Sequence, residues 1–135
     1  MTLYRLTLTD YELSYSGYTC SFQIGVFNSF KEAENTGRYY LTSIPGFSEY
    51  PCSYHIDEII LEDDHVREPA TVYQIWGYDI NKNGDEVNGV EEFHTDYDSA
   101  VSRLEALQSG LTRDEWGIDK IKIGLKNWQE GFARG

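Results

Sequence analysis

The chain carries one stretch of sequence twice, and this repetition constrains the fold more than any other feature. Residues 54–61 and 116–123 share an aromatic first residue, an Ile-Asp pair and an isoleucine in sixth place. Two further pairs of segments match in the same order: residues 3–6 with 72–75, and residues 29–33 with 96–100. The separation between copies shortens along the chain, as changes in loop length would produce. The sequence therefore predicts a tandem duplication of one structural unit.

Each copy is predicted to begin with two strands. Tyr4, Leu6 and Leu8 alternate with polar residues, which is the period of a half-buried strand. Residues 10–18 contain serines and a glycine and favour a loop or a frayed hairpin. A second alternating strand then starts near Phe22.

A helix and a third strand are predicted to complete each copy. Ser29 and Glu32 form a capping box at the start of the first helix, and the Pro-Gly pair at 45–46 ends it. Gly37 costs about 1 kcal/mol relative to alanine inside a helix, so we expect a close approach to the sheet there. Asp96 is the expected N-cap of the second helix.

These elements favour a sheet of order 2-1-3 with the helix on one face. The expected fold class is α+β, a tandem duplication of a strand-strand-helix-strand unit with a mostly antiparallel sheet and two helices. The first copy with a polar linker is placed at residues 1–66, and the second copy with a C-terminal tail at residues 67–135. Because burial is marginal in a unit of about 65 residues, the copies are expected to pack as one compact domain.

The third strands depart from strict alternation in the same way. The apolar residues of the first copy fall at Ile56, Ile59 and Leu61, and the second copy repeats this spacing. Steps of three and then two residues cannot keep one face of a flat strand buried. We therefore predict a bulge near Asp57 and near Asp119.

The net charge of −12 at pH 7 is shared by both copies and argues against direct nucleic-acid binding, which needs a basic face. It favours a basic protein partner attracted by electrostatic steering, although acidity also serves solubility. No apolar run is long enough for a membrane span, and the start of the chain lacks a signal-peptide pattern, so we expect a cytoplasmic location. Cys20 and Cys52 are expected to be reduced thiols, with a disulfide as the alternative.

Residues 79–85 form the sharpest local motif. Their spacing matches the first seven positions of a calcium loop, but position 12 is Val90 instead of a glutamate. The duplication places a hairpin tip here, and the Asn-Gly pair at 83–84 is a preferred two-residue turn. We predict a hairpin turn and no metal or cofactor. The alternative is a calcium site with these ligands: Asp79, Asn81, Asn83, Asp85 and Glu91.

Three short motifs together resemble a family of small, uncharacterised bacterial proteins. They are a Pro-Gly-Phe connector at 45–47, an Ile-Asp step in the third strands, and a Trp-x-Glu-Gly-Phe ending at 128–132. The resemblance implies no particular activity, ligand or catalytic residue. In size and charge the chain also resembles immunity proteins, which neutralise a cognate toxin domain. Trp128 and Phe132 of the ending are expected to dock on the domain.

The sequence does not favour an enzyme. The three histidines, His55, His65 and His94, are scattered, and neither a nucleophile elbow nor a Gly-rich phosphate loop is present. Asp57 and Asp119 are the one carboxylate pair that stands out. Their predicted place at matching bulges is a sufficient structural role.

A protein-binding inhibitor accounts better for the acidity and the many aromatic residues. We predict a bacterial immunity protein that occludes the active site of a basic, nuclease-type toxin domain. The alternatives are a phage-encoded blocker of a bacterial defence protein and a small-ligand or calcium-binding sensor. The predicted partner-binding residues lie on the two hairpins and the linker: Tyr11, Tyr15, Tyr18, Glu62, Asp63, Asp64, Trp76, Asp79 and Asp85.

Overall fold

The computed structural model describes residues 1–15, 18–61 and 69–133. The described elements are β1 (Thr2–Tyr15), β2 (Tyr18–Phe27), α1 (Phe30–Ser43), β3 (Cys52–Ile60), β4 (Thr71–Ile80), β5 (Glu86–His94), α2 (Tyr97–Gly110) and β6 (Glu115–Lys122). They form two three-stranded antiparallel sheets, with strand orders β2-β1-β3 and β5-β4-β6. The predicted α+β fold with a duplicated unit and the 2-1-3 order is confirmed. Neither helix in the described part of the chain is long and apolar enough to cross a membrane.

The two sheets share one register. Leu6 of β1 lies opposite Ile56 of β3, and Ile75 of β4 lies opposite Ile118 of β6. These are the residues that the two copies of the sequence align. The pairing of central and third strands therefore matches residue for residue, which a chance likeness between short β-rich segments would not produce.

The chain divides into two compact units, and the first contains Thr2–Ile60 together with Ile123–Gly135. Its helix starts as predicted, because the Ser29 hydroxyl accepts a hydrogen bond from the Glu32 amide at 3.0 Å. The expected close approach at Gly37 is also confirmed. A Cβ atom there would lie 3.0 Å from the ring of Tyr54 and 3.1 Å from Leu6. Glycine thus lets α1 sit directly on the sheet.

The C-terminal segment completes the core of this first unit. The amides of Gly124 and Asn127 donate hydrogen bonds to carbonyl oxygens of β2 at 2.8 and 2.7 Å. Phe132 then stacks on Phe22, with ring centroids 4.7 Å apart, and also meets the ring of Phe47. The predicted docking of the terminal aromatics is therefore confirmed. The Pro-Gly-Phe and Trp-x-Glu-Gly-Phe motifs meet here, since the Phe132 amide donates to the Pro45 carbonyl.

The second unit contains Met1 and Leu61–Lys122. Its cluster of buried residues consists of Ile75, Ala100 and Leu107, with partly buried neighbours around them. Asp96 caps α2 as predicted and accepts a hydrogen bond from the Ser99 amide at 2.9 Å. The helix is also tied to its sheet by charge, because Arg103 pairs with Glu92 of β5 at 2.9 Å.

Residues 10–15 are part of β1, so the loop predicted as one alternative for residues 10–18 is wrong, and the hairpin alternative is confirmed by the pairing of Tyr15 with Tyr18. Tyrosines within this stretch favour a strand, and its first residue, Asp10, has a pairing partner on both sides. Asp10 is fully buried between Cys20 of β2 and Cys52 of β3. Cysteines separated by a whole strand lie roughly 10 Å apart, too far for a disulfide. Both are thiols, and burial followed by the Asp10 carboxylate raises the pKa of the Cys20 thiol.

The predicted bulges near Asp57 and Asp119 are also wrong. β3 and β6 pair with their central strands without a register shift. Ile56 lies on the α1 side of its sheet, whereas Ile59 lies on the opposite face and is buried there. A strand whose end is covered on both faces needs no bulge to bury isoleucines three residues apart. The observed register shifts occur within the two hairpins instead.

Candidate protein-binding site

Strand alternation sorts the charges of β6 onto two faces of the second sheet. Lys120 pairs with Tyr73, whose ring packs beside the α2 core, so the lysine lies on the helix side. Glu115 and Asp119 have the opposite parity and lie on the other face, together with Trp76. We call this surface the acidic face, and it is made of Trp76, Tyr78, Glu91, Glu115 and Asp119.

Trp76 is the centre of the acidic face. Gly117 lies directly opposite it on β6, and an added Cβ atom at this glycine would collide with the six-membered ring of the indole. The indole therefore lies directly over the backbone of Gly117, between the positions of Glu115 and Asp119. Its other neighbour is Tyr78, which stacks at 5.5 Å with an interplanar angle of 17°.

Tyr78 and Glu115 are joined across the strands. The phenol donates a hydrogen bond to a carboxylate oxygen of Glu115 at 2.6 Å. This bond, helped by desolvation and by the charges of Glu115 and Glu86, raises the pKa of Tyr78 to about 12. The phenol therefore stays protonated at neutral pH and holds the Glu115 carboxylate at the edge of the aromatic pair.

Asp119 carries an uncompensated charge on this face. It is exposed, and its opposite residue on β4 is Gln74 rather than a cation. Within the described ranges, no residue forms an ion pair with it. The Gln74 amide instead donates to Glu91 of β5 at 2.7 Å. The acidic face thus presents three exposed carboxylates around one aromatic pair, and none of the paired positions of β4, β5 and β6 on this face holds a lysine or arginine.

The indole N–H of Trp76 is a further unusual feature. The nitrogen is buried, and no described residue accepts a hydrogen bond from it. An unsatisfied buried donor costs about 1–3 kcal/mol in general. Phenylalanine would fill much of the same space without that penalty, so packing alone does not account for tryptophan here.

The corresponding face of the first sheet has a different chemistry. Arg5 donates to Asp57 at 3.1 Å, and His55 contacts the other oxygen of the same carboxylate at 2.7 Å. Most other residues of this face carry hydroxyl groups. Together with the Asp57 cluster they line an open groove of about 520 Å³. Thr9 and Ser21 bond each other there at 3.1 Å. This hydroxyl face is polar, but its carboxylate is already neutralised.

The structure divides the predicted partner-binding residues. Trp76 lies on the acidic face, and Tyr11 lies at the end of the hydroxyl face with its phenol bonded to Ser53 at 2.9 Å. Tyr15 and Tyr18 pair with each other on the first hairpin. Three residues lie outside the described part of the chain: Glu62, Asp63 and Asp64.

The two predicted aspartates of the second hairpin have local structural roles. Asp79 accepts hydrogen bonds from the Asp114 amide at 3.0 Å and from the Asn88 side chain at 2.9 Å. Asp85 stands in the hairpin loop, where its amide donates to the Asn81 side chain at 2.9 Å. Neither residue belongs to the acidic face.

The loop at residues 81–85 is a hairpin tip, as predicted, but its turn differs from the expected two-residue form. The Gly84 amide donates to the Asn81 carbonyl, and the Asn81 amide donates to the Asp85 carbonyl. Gly84 has a φ of 83°, so the loop is a three-residue turn closed by a left-handed glycine. The Asn81 oxygen, a ligand in the calcium alternative, is occupied by backbone amides. No group of three acidic, cysteine or histidine side chains in the described ranges is arranged to hold a metal ion.

Sequence reasoning missed Tyr78, Glu115 and Asp119 as members of one surface. A signal was available, because acidic and basic residues of β6 alternate with the period of a strand. The assumption of a bulge near Asp119 concealed that alternation. A straight strand assigns every second residue from Glu115 to the same face as Trp76.

No protein-family model, curated protein or solved structure matches this chain.

Proposed function

We propose that this protein binds and inhibits a basic protein, as an immunity protein does with a toxin domain. The acidic face carries the proposal. Its exposed carboxylates surround two aromatic rings, and Asp119 has no cation opposite it. Aromatic side chains supply binding area at small entropic cost, and like charges on one face steer an oppositely charged partner.

Electrostatic arrangement favours this function over catalysis. The carboxylates of the acidic face flank flat aromatic rings on a sheet surface, whereas general acid–base catalysis needs paired groups converging on one bound substrate. In the first unit, the His55–Asp57–Arg5 cluster lies on a sheet face where Asp57 is held by two cationic or polar partners. A toxin's substrate is commonly a polyanion such as nucleic acid, so its cleft is basic. An acidic surface can occupy that cleft in place of the substrate.

The test uses the protein encoded by the neighbouring gene. We expect that gene to encode a basic toxin-like domain, and the purified chain to bind it and suppress its activity. Replacing both Glu115 with Gln and Asp119 with Asn should weaken binding about tenfold, because two unscreened charges are lost. A control with the same charge change on the exposed side of α2, Asp98→Asn with Glu105→Gln, should change the Kd less than about twofold.

Two results would contradict the proposal. One is a neighbouring product that is acidic or that the chain neither binds nor inhibits. The other is inhibition that does not weaken when the salt concentration rises, because an interface steered by charge is screened by ions. Circular dichroism of each variant before the assay shows that its fold is intact.

A further inference from the structure

We infer that the acidic face recognises arginine side chains, with a guanidinium group seated on Trp76 between Glu115 and Asp119. This inference rests on the proposed function and names the chemical group by which the basic partner would be held. The inference depends on the position of the Trp76 indole across Gly117. This position is an observation separate from the overall charge of the chain.

The strand geometry places two carboxylates beside one aromatic ring. Glu115 and Asp119 each lie two residues from Gly117, the residue directly opposite Trp76. Diagonal neighbours of this kind are roughly 7–8 Å apart at the backbone, which long side chains easily span. A cation resting on the indole is therefore within reach of a negative charge on either side.

Arginine fits this arrangement better than lysine. A guanidinium is planar, stacks on an aromatic face and donates several hydrogen bonds in its own plane, so it can contact the ring and the two carboxylates together. An ammonium is a compact and strongly hydrated charge that gives up more hydration on the same surface. Glu115 already accepts the Tyr78 hydroxyl at one oxygen, and its second oxygen remains available in the described structure.

The first sheet provides an internal comparison. The positions that match Trp76 and Gly117 hold Thr7 and His55, so no aromatic ring lies across that face. Asp57, which matches Asp119, is already paired with Arg5 of the same chain at 3.1 Å. The first sheet thus holds its own arginine beside this carboxylate. The second sheet has Gln74 in the place of that arginine.

The inference is tested with short peptides and the intact protein. The probe is an acetylated and amidated pentapeptide, Gly-Arg-Gly-Arg-Gly, with lysine and citrulline versions for comparison. Binding is followed by the indole ¹H–¹⁵N signal of Trp76, which a Trp76→Phe variant identifies among the three tryptophans. We expect the arginine peptide to shift this signal and to bind about threefold tighter than the lysine peptide. The citrulline peptide, which lacks the charge, should cause no shift.

Matched variants separate recognition from general charge. Asp119→Asn should weaken binding of the arginine peptide about fivefold, whereas Glu105→Gln on α2 should change it less than about twofold. Equal affinities for arginine and lysine, equal effects of the two variants, or shifts at another tryptophan would overturn the inference. If the chain inhibits its partner but Trp76→Ala leaves inhibition unchanged, the inference fails and the proposed function stands. If the peptide results hold but no partner is inhibited, the proposed function fails and the inference stands.

Discussion

The two sheets of this protein share strand order and register but differ in the face turned away from the helix. Opposite the third-strand aspartate, the first sheet has Arg5 and the second has Gln74. Two residues further along the central strand, the first sheet pairs Thr7 with His55, and the second pairs Trp76 with Gly117. The comparison shows that a duplicated backbone can keep its pairing while a few substitutions turn a neutralised face into an acidic and aromatic one.

The cores of the two units differ as well. The first unit recruits the C-terminal segment, whose Phe132 joins an aromatic cluster with Phe22 and Phe47. In the second unit, one buried cluster joins Ile75, Ala100 and Leu107, and the Arg103–Glu92 ion pair links helix and sheet. An aromatic cluster thus holds the C-terminal segment in the first unit, whereas an ion pair ties the helix to the sheet in the second.

The largest effect is expected from removing the aromatic ring that only the first unit receives. Phe132→Ala should lower the free energy of unfolding by about 3 kcal/mol, because it leaves a gap among packed aromatic rings. Leu125→Ala on the same segment is the control, since Leu125 is 51 % exposed, and it should cost less than about 0.5 kcal/mol. Urea unfolding measures both. Similar values for the two variants would show that the segment is not part of the core.

A second prediction concerns the glycine that distinguishes the acidic face. Gly117→Ala should destabilise the protein by about 2 kcal/mol, because the new methyl group collides with the indole of Trp76. Trp76→Phe combined with Gly117→Ala should recover part of this loss, since the smaller ring leaves room for the methyl group. Thermal unfolding of the single and double variants gives the coupling free energy between positions 76 and 117. Additive losses would mean that the indole does not lie across this glycine.

A third prediction concerns a variant in which one residue of the first sheet is replaced by its counterpart from the second. Arg5→Gln removes the ion pair with Asp57 and places the second sheet's residue at the matching position. We expect a loss of about 1 kcal/mol in the free energy of unfolding, because the pair is only partly exposed. The double variant Arg5→Gln with Asp57→Asn should be less destabilised than the single variant, because it leaves no carboxylate that has lost its arginine partner. A single variant as stable as the original chain would contradict this account.

A smaller effect is expected from pH on the second unit. Hydrogen bonds from Arg103 hold the pKa of Glu92 below its ordinary value of 4.5. A depressed pKa in the folded state contributes stability above the unfolded value, and that contribution is lost as the pH falls through the folded value. Arg103→Gln should therefore flatten the decline in stability below about pH 4.5. If the free energy of unfolding of Arg103→Gln falls with pH as steeply as that of the original chain, this ion pair is not the source of the acid destabilisation.

The smallest expected change is spectroscopic. Because its hydrogen bond to Glu115 raises the pKa of Tyr78 to about 12, this residue should ionise later than an ordinary tyrosine. A raised pKa means that the associated stabilisation is present below the unfolded value and is lost as the pH rises through the folded one. Glu115→Gln should lower the pKa of Tyr78 while leaving unchanged the pKa of Tyr40 in the first unit, which burial raises. NMR of labelled tyrosine rings follows both residues.

Local sequence signals predicted the elements well where each signal has one physical cause. The capping residues Ser29 and Asp96 set the helix starts, and the repeated third strand indicated the duplication. Gly37 was expected to mark close packing and does so. These predictions succeeded because capping, periodicity and glycine packing act over a few neighbouring residues.

Prediction failed where two distant segments decide the outcome. Ile59 suggested a bulge because a strand was assumed to be buried on one face, and tertiary packing buries it on the other. The acidic face was missed for the same reason, since its members come from three strands.

By itself, the sequence determined the duplicated unit, the helix boundaries and the acidity of the chain. Tertiary structure alone decided that the C-terminal segment belongs to the first unit and that Trp76 lies across Gly117 between two carboxylates. The physical reason is that side-chain periodicity is a local property of the backbone. Which residues meet across strands depends on register, and register is fixed only when the whole sheet and its core form together.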